Sequence, residues 1–210
     1  MVVAPVLPQT TSGKFKAKSY AGDLMRVGDL AEAIVRDWLQ AHPDVLGLVD
    51  LSRLAPFQRT DMDLAIRLQD GTHPIAEVKW DRNLGVSPYI LVEVLRLNHQ
   101  APPEAAGALG WTLRTEARWI LYFAPKLALV YQFKTDMLRR RVQQYTAQAR
   151  HDTQFCWVST DAVKSTLNLL LPVQACQGAF RVHDVIAYAR RHIPAIDQLR
   201  LQFAPESLRW

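Results

Sequence analysis

Cysteine is scarce in this 210-residue sequence: only Cys156 and Cys176 occur, and no CxxC pair. That excludes a disulfide framework or a Cys-rich zinc site and makes a reducing cytoplasm the expected compartment. None of the six histidines (42, 73, 99, 151, 183, 192) stands at HxxxH or HExxH spacing, so helical zinc-hydrolase patterns are also excluded. No apolar run approaches the roughly 20 residues that a bilayer span needs. The opening Met1–Gln9 stretch is apolar but short, has no basic n-region and carries Pro5 and Pro8. Neither a signal peptide nor a membrane partner is expected. Internal repeats and low-complexity tracts are missing as well.

What is present is a chain that is 49% hydrophobic and 21% charged, long enough to bury a substantial core. Its net charge of +5 is unevenly divided. Residues 1–110 hold 11 basic and 13 acidic side chains, whereas residues 111–210 hold 14 basic and 7 acidic. An acidic half joined to a basic half permits an anionic partner on the basic side.

Residues 1–20, with Lys14, Lys16 and Lys18, read as a flexible basic arm. The apolar positions Leu24, Val27, Ala31, Ile34, Val35 and Trp38 recur at helical spacing and predict a helix over about 23–41, ended by His42-Pro43. Strands are expected at 45–51, 63–68 and 74–80, the last two joined by the tight turn Gln69-Asp70-Gly71-Thr72. Ser87-Pro88 has the form of an N-cap followed by Pro at N1, predicting a second helix over 89–99. Two strands over 119–123 and 127–133 and a helix from Thr135-Asp136 to about Arg150 follow. A short strand at 155–158 and C-terminal helices starting at Thr160 or Asp161 and at His183-Asp184 complete the reading. The expected fold is mixed α/β with a central sheet: an arm (1–20), a core domain (21–150) and a C-terminal extension packed on it (151–210).

Chemistry-bearing residues concentrate in the acidic half. Glu32 lies one residue off the buried stripe of the first helix. Asp63 opens the second strand, with Asp61 two residues before it. Glu77 and Lys79 sit on the third strand, and because strand side chains alternate, they share one face while Val78 takes the other. Two carboxylates on adjacent strands, a backbone carbonyl and waters can make an octahedral Mg²⁺ site. A neighbouring Lys can orient a water or stabilise phosphate charge. The blander alternative is a solvated Glu-x-Lys cross-pair, with Glu32 an exposed helix carboxylate and Asp61 a turn residue or a support for the site.

The set Glu32, Asp63 and Glu77-x-Lys79, spread over helix, strand and strand, resembles the PD-(D/E)XK nuclease superfamily, the restriction-endonuclease-like and Holliday-junction-resolvase-like enzymes. The segment Gly28-x-x-x-Glu32 is similar to the first-helix motif of resolvase-like members. Asp63-Leu64-Ala65-Ile66, a turn, and Ile75-Ala76-Glu77-Val78-Lys79 look like the superfamily's core hairpin. The resemblance covers about 23–133 and implies a restriction-endonuclease-like αβββαβ core with a mixed sheet. It implies Asp63 and Glu77 as ligands of Mg²⁺ or Mn²⁺, the Val78 carbonyl as a third ligand, Lys79 as catalytic lysine and Glu32 as a further metal-binding carboxylate. The implied reaction is hydrolysis of phosphodiester bonds in DNA. No Pro precedes Asp63, which leaves Asp61 as a rival; Asp63 is preferred because it directly precedes the apolar run of the strand.

In the basic half, Arg139-Arg140-Arg141 spans about 200° of a helix and cannot aim at one ligand together. Lys134, Arg141 and Gln144 or Gln148 could share a face toward a phosphate backbone, while the ordinary reading of the run is a solvated face. Trp111, Trp119 and Trp157 are expected in the core. A homodimer is expected if both strands of a duplex are cut. The competing reading is a nuclease-like fold that binds nucleic acid or a protein without cutting.

Overall fold

The computed structural model describes residues 17–102, 107–149, 156–160 and 163–203. The expected basic arm lies mostly outside these residues, since α1 already begins at Ala17 and runs to Ala41. It is followed by β1 (Val45–Asp50), the one-turn α2 (Ala55–Gln58), β2 (Leu64–Leu68) and β3 (Ile75–Trp80). Next come β4 (Tyr89–Asn98), β5 (Gly107–Leu109), the short α3 (Trp111–Arg114), β6 (Trp119–Ala124) and β7 (Leu129–Lys134). The chain then forms α4 (Thr135–Ala149), β8 (Cys156–Thr160), β9 (Lys164–Pro172), β10 (Phe180–Asp184), α5 (Ile186–His192) and α6 (Ile196–Phe203).

Two sheets result. The larger has the order β1-β2-β3-β6-β7-β10 and is mixed: β3 and β6 run parallel, and every other neighbouring pair is antiparallel. The smaller, β5-β4-β9-β8, is antiparallel throughout. Alternation along the strands assigns each face of the larger sheet. Leu64, Ile66, Ala76, Val78, Leu121 and Phe123 point to α1, where Ala31, Ile34 and Val35 are fully buried, and to α5 and α6. Ile120, Tyr122, Leu129, Tyr131 and Phe133 point the other way, onto Ile90 and Val92 of β4, Leu169 and Leu171 of β9, and Leu138 and Val142 of α4. Each large aliphatic side chain buried this way stabilises the fold by about 1.5–3 kcal/mol relative to exposure. Among the described residues, no helix is long and apolar enough to cross a membrane.

The expected helix over 89–99 is a strand. Its sequence alternates with period 2: Ile90 and Val92 are fully buried while Leu91 and Glu93 face the other way, and the segment pairs with β9 from Tyr89–Pro172 to Asn98–Lys164. The Ser87 hydroxyl does accept the Tyr89 N–H, at 3.2 Å, but as a local turn leading into a strand. Among the described residues, the connection from β3 to β6 therefore passes through sheet, with the four-residue α3 its only helix, where the αβββαβ pattern expects a helix. The helix start expected at Thr160 or Asp161 also gives way. Thr160 ends β8 and pairs with Ser165 of β9, and Asp161 lies outside the described residues. The start at Asp184 holds, its Oδ1 accepting the Ile186 N–H at 2.9 Å ahead of α5. Residues after 155 enter both sheets.

Candidate active site

The β2–β3 hairpin sets Asp63 against the strand that carries Glu77 and Lys79. The Asp63 N–H donates to the Ala76 carbonyl at 3.0 Å, and its carboxylate Oδ2 accepts the Val78 N–H at 2.7 Å. A side chain thus replaces a backbone acceptor, which fixes Asp63 against β3 between Glu77 and Lys79. Because Ala76 and Val78 belong to the core under α1, Glu77 and Lys79 point to the opposite face. There Lys79 Nζ donates to Glu77 Oε1. Glu77 is 1% exposed, and its second oxygen, Oε2, is buried without a hydrogen-bond partner.

A second layer that the sequence did not reveal shapes this pair. Gly110 approaches β4 so closely that its N–H reaches the Val94 carbonyl at 3.0 Å. This occurs where the β4–β9 register slips by one residue, between Glu93 and Leu95. The approach launches α3, which sets the Trp111 ring 5.5 Å from Lys79 Nζ, as a cation–π partner, and delivers Arg114 to Asp61. Arg114 grips both Asp61 oxygens, at 2.6 and 2.9 Å. Asp61 has a left-handed φ of 50°, and its carbonyl accepts the Thr115 hydroxyl at 2.7 Å. With both oxygens on Arg114, Asp61 anchors the turn that leads into β2. Arg139, expected on a solvated face, instead donates to the α3 carbonyls of Thr112 and Leu113 and to that of Thr115.

Electrostatics around the site follow from burial. Burial raises the Asp63 carboxyl above the ordinary range, against the Val78 N–H and the Lys79 charge, which lower it. It pushes the Lys79 ammonium down, while Asp63, Asp61 and Glu93 pull it back up. Glu32, half-buried on α1, is pushed up to about 7, by desolvation first and then by the charges of Asp63, Asp50 and Asp29. Burial and the three nearby carboxylates together, burial foremost, keep a proton on Glu32 up to about neutrality. Of these, Asp50 also ties β1 to α1 through Arg36, at 2.6 Å.

Not every expected residue joins this region. Lys134 is exposed at the end of β7, beside Arg118 and Arg181. Arg141 and Gln144 bond each other on α4 at 3.0 Å, with Arg141 near Cys176. Gln148 is in the last turn of α4. Trp111 is buried, as expected, whereas Trp119 is half-buried at the rim of a cavity.

Among the described residues, no group of three or more His, Cys, Asp and Glu side chains forms a ready-made metal cluster. The donor set on offer is smaller: the Asp63 and Glu77 carboxylates and the Val78 carbonyl, with Glu32 behind. That set suits Mg²⁺, a cation that keeps several waters and takes only one or two carboxylates. The unpartnered Glu77 Oε2 is the feature that fits it. No family model, curated protein or solved structure matches the chain.

Proposed function

We propose that the chain is a metal-dependent nuclease that hydrolyses phosphodiester bonds in DNA at Asp63, Glu77 and Lys79, on a restriction-endonuclease-like core. The observation that carries the reading is Glu77: a fully buried carboxylate with one oxygen on Lys79 and the other without a partner. A buried carboxylate oxygen left unsatisfied costs about 1–3 kcal/mol. A divalent cation held by Glu77 and Asp63 would remove that cost. Bound there, Mg²⁺ or Mn²⁺ would activate a water and neutralise charge on the scissile phosphate.

The chain's own residues supply the rest. The Val78 N–H holds Asp63 in place, so its carboxylate needs no reorganisation to act as a ligand. Lys79 is cushioned on Trp111 and has a depressed proton affinity, so it can exchange its contact with Glu77 for one with a phosphate oxygen or the attacking water. Glu32, protonated near pH 7, can give up its proton when a cation arrives.

One observation favours the competing module that binds without cutting: the Lys79–Glu77 pair is closed. A cleavage assay with Mg²⁺ or Mn²⁺ over a panel of DNA and RNA structures separates the two. Divalent-dependent cleavage lost in Lys79→Ala and Asp63→Ala, with the fold retained, supports the nuclease. If both variants cut as fast as wild type, the assignment is wrong.

A further inference from the structure

A second concave region lies at the other end of the large sheet. Between the end of α1, the start of β1 and the strands β6, β7 and β10 is a cavity of about 650 Å³, within the size range of small-molecule sites. Its inner wall is Trp38, whose ring sits 4.7 Å from that of His183. His183 Nε2 lies 2.9 Å from Gln132 Oε1. An amide oxygen only accepts, so Nε2 carries the proton, and the Gln132 amide group keeps two N–H donors for another partner. Burial, with His42 and Arg181 nearby, keeps His183 below the ordinary histidine range; Asp44 and Asp70 also line the cavity.

The cavity opens into a shallower groove of about 360 Å³ over the ends of β2, β6 and β7. Leu68, Asp70, Trp119, Gln132 and Arg181 line both spaces. The groove adds Arg118 and Lys134. These three cations are exposed, and none is in a salt bridge among the described residues. Asp70 Oδ1 accepts the Thr72 N–H and hydroxyl, at 2.9 and 2.7 Å, and the Asp70 charge offsets part of that of Arg118.

An aromatic, amide-bearing cavity joined to a cationic groove matches one kind of ligand: a flat heteroaromatic ring with hydrogen-bond acceptors, linked to an anion. We propose that this cleft binds a nucleotide, with the base against Trp119 and the Gln132 amide, and the phosphate between Arg118, Lys134 and Arg181. Stacking on an indole and contact with basic side chains is the general means of holding an unpaired base and its phosphate. The ligand is either a free mononucleotide or the terminal nucleotide of a strand. The inference does not depend on Asp63, Glu77 or Lys79.

Binding is measured by tryptophan fluorescence and calorimetry on the full chain in excess chelator, so that cleavage plays no part. The probes are nucleoside 5′-monophosphates, a short 5′-phosphorylated oligodeoxynucleotide and inorganic phosphate. The expected result is a nucleotide Kd below about 1 mM, weakened about tenfold or more in Arg181→Ala and Arg118→Ala. Both altered arginines are exposed, and circular dichroism checks that the variants fold. Binding of mononucleotides identifies the free ligand; binding of the oligonucleotide alone identifies a strand end. Inorganic phosphate binding as tightly as the nucleotides, no binding of any probe, or unchanged affinity in Arg181→Ala each overturns the proposal.

Discussion

Replacing Gly110 by alanine tests whether the architecture around Lys79 is set by one close approach. The backbone at Gly110 has φ −65° and ψ 163°, which any residue adopts, so conformational strain is not at issue. A Cβ there would lie 2.3 Å from the Glu93 carbonyl oxygen, 2.4 Å from its carbon and 2.7 Å from the Val94 nitrogen. All three are backbone atoms of β4, which cannot rotate away. Two effects oppose each other. Reduced freedom of the unfolded chain favours alanine by about 0.4–1 kcal/mol. Overpacking costs about 1–3 kcal/mol, and loss of the Gly110–Val94 hydrogen bond about 1 kcal/mol more. Sterics win, and Gly110→Ala is expected to lose about 2–3 kcal/mol, or roughly 5–10 °C in Tm for a chain of this size.

Two other glycines serve as controls. At Gly107 the nearest atom to an added Cβ is a flexible Leu97 methyl at 3.8 Å, so Gly107→Ala is expected to be neutral or slightly stabilising. At Gly71, in the β2–β3 turn, φ is +78° and nothing lies within 4 Å. Gly71→Ala therefore isolates the left-handed penalty, about 1 kcal/mol. Urea denaturation of the three variants ranks them. If Gly110→Ala falls within about 0.5 kcal/mol of Gly107→Ala, a resolution ordinary for such comparisons, α3 is not positioned by this approach and the account of Lys79 and Trp111 fails with it.

Glu32 gives a pH signature. Its folded pKa of about 7 exceeds the ordinary 4.5, so the fold keeps a proton that the unfolded chain has lost, and stability falls as pH rises from 4.5 through 7. The full shift corresponds to about 3 kcal/mol, which solvent screening of a half-exposed group reduces to about 1–2 kcal/mol. Denaturation at pH 5 and pH 8 is expected to show this loss in wild type and not in Glu32→Gln; equal losses refute it. For the buried pair, Lys79→Met alone leaves the Glu77 charge buried and is expected to cost about 3–5 kcal/mol, while Lys79→Met with Glu77→Gln recovers most of that. A double-mutant cycle showing no coupling contradicts the pairing. Arg114→Lys keeps the charge but loses the two-point grip on Asp61 and is expected to destabilise by about 1–2 kcal/mol, measured by thermal melting. No change would mean the Asp61 turn is held by other contacts.

The β2–β3 hairpin was legible because three local signals agree there: alternation in both strands, a glycine able to take positive φ, and polar residues confined to one face. The same alternation exists in β4, where Ile90, Val92 and Val94 oppose Tyr89, Leu91 and Glu93, but Ser87-Pro88 carries a stronger local helix-start signal. The contest was decided by the remote partner β9, which appears only after the fold closes. The supports of the candidate site were invisible for a related reason. Arg114 reaches Asp61 across 53 positions, and Trp111 reaches Lys79 through a helix of only four residues. No spacing rule links such pairs, whereas Glu77 and Lys79 are linked by strand periodicity alone.

The route from β3 to β6 has a consequence for how this protein can be handled. The chain leaves the large sheet, lays down β4 and β5, and returns, and β4 is completed only when β9 arrives, pairing Tyr89 with Pro172 and Asn98 with Lys164. The two sheets are therefore interlocked, and neither can be excised as an autonomous unit. A truncation before residue 151 would strip β4 of β9 along its whole length and leave β7 without β10, exposing two edges beside Ile90, Val92 and Val130 and inviting aggregation. Because so many pairings await the end of the chain, folding should be slow and late to commit.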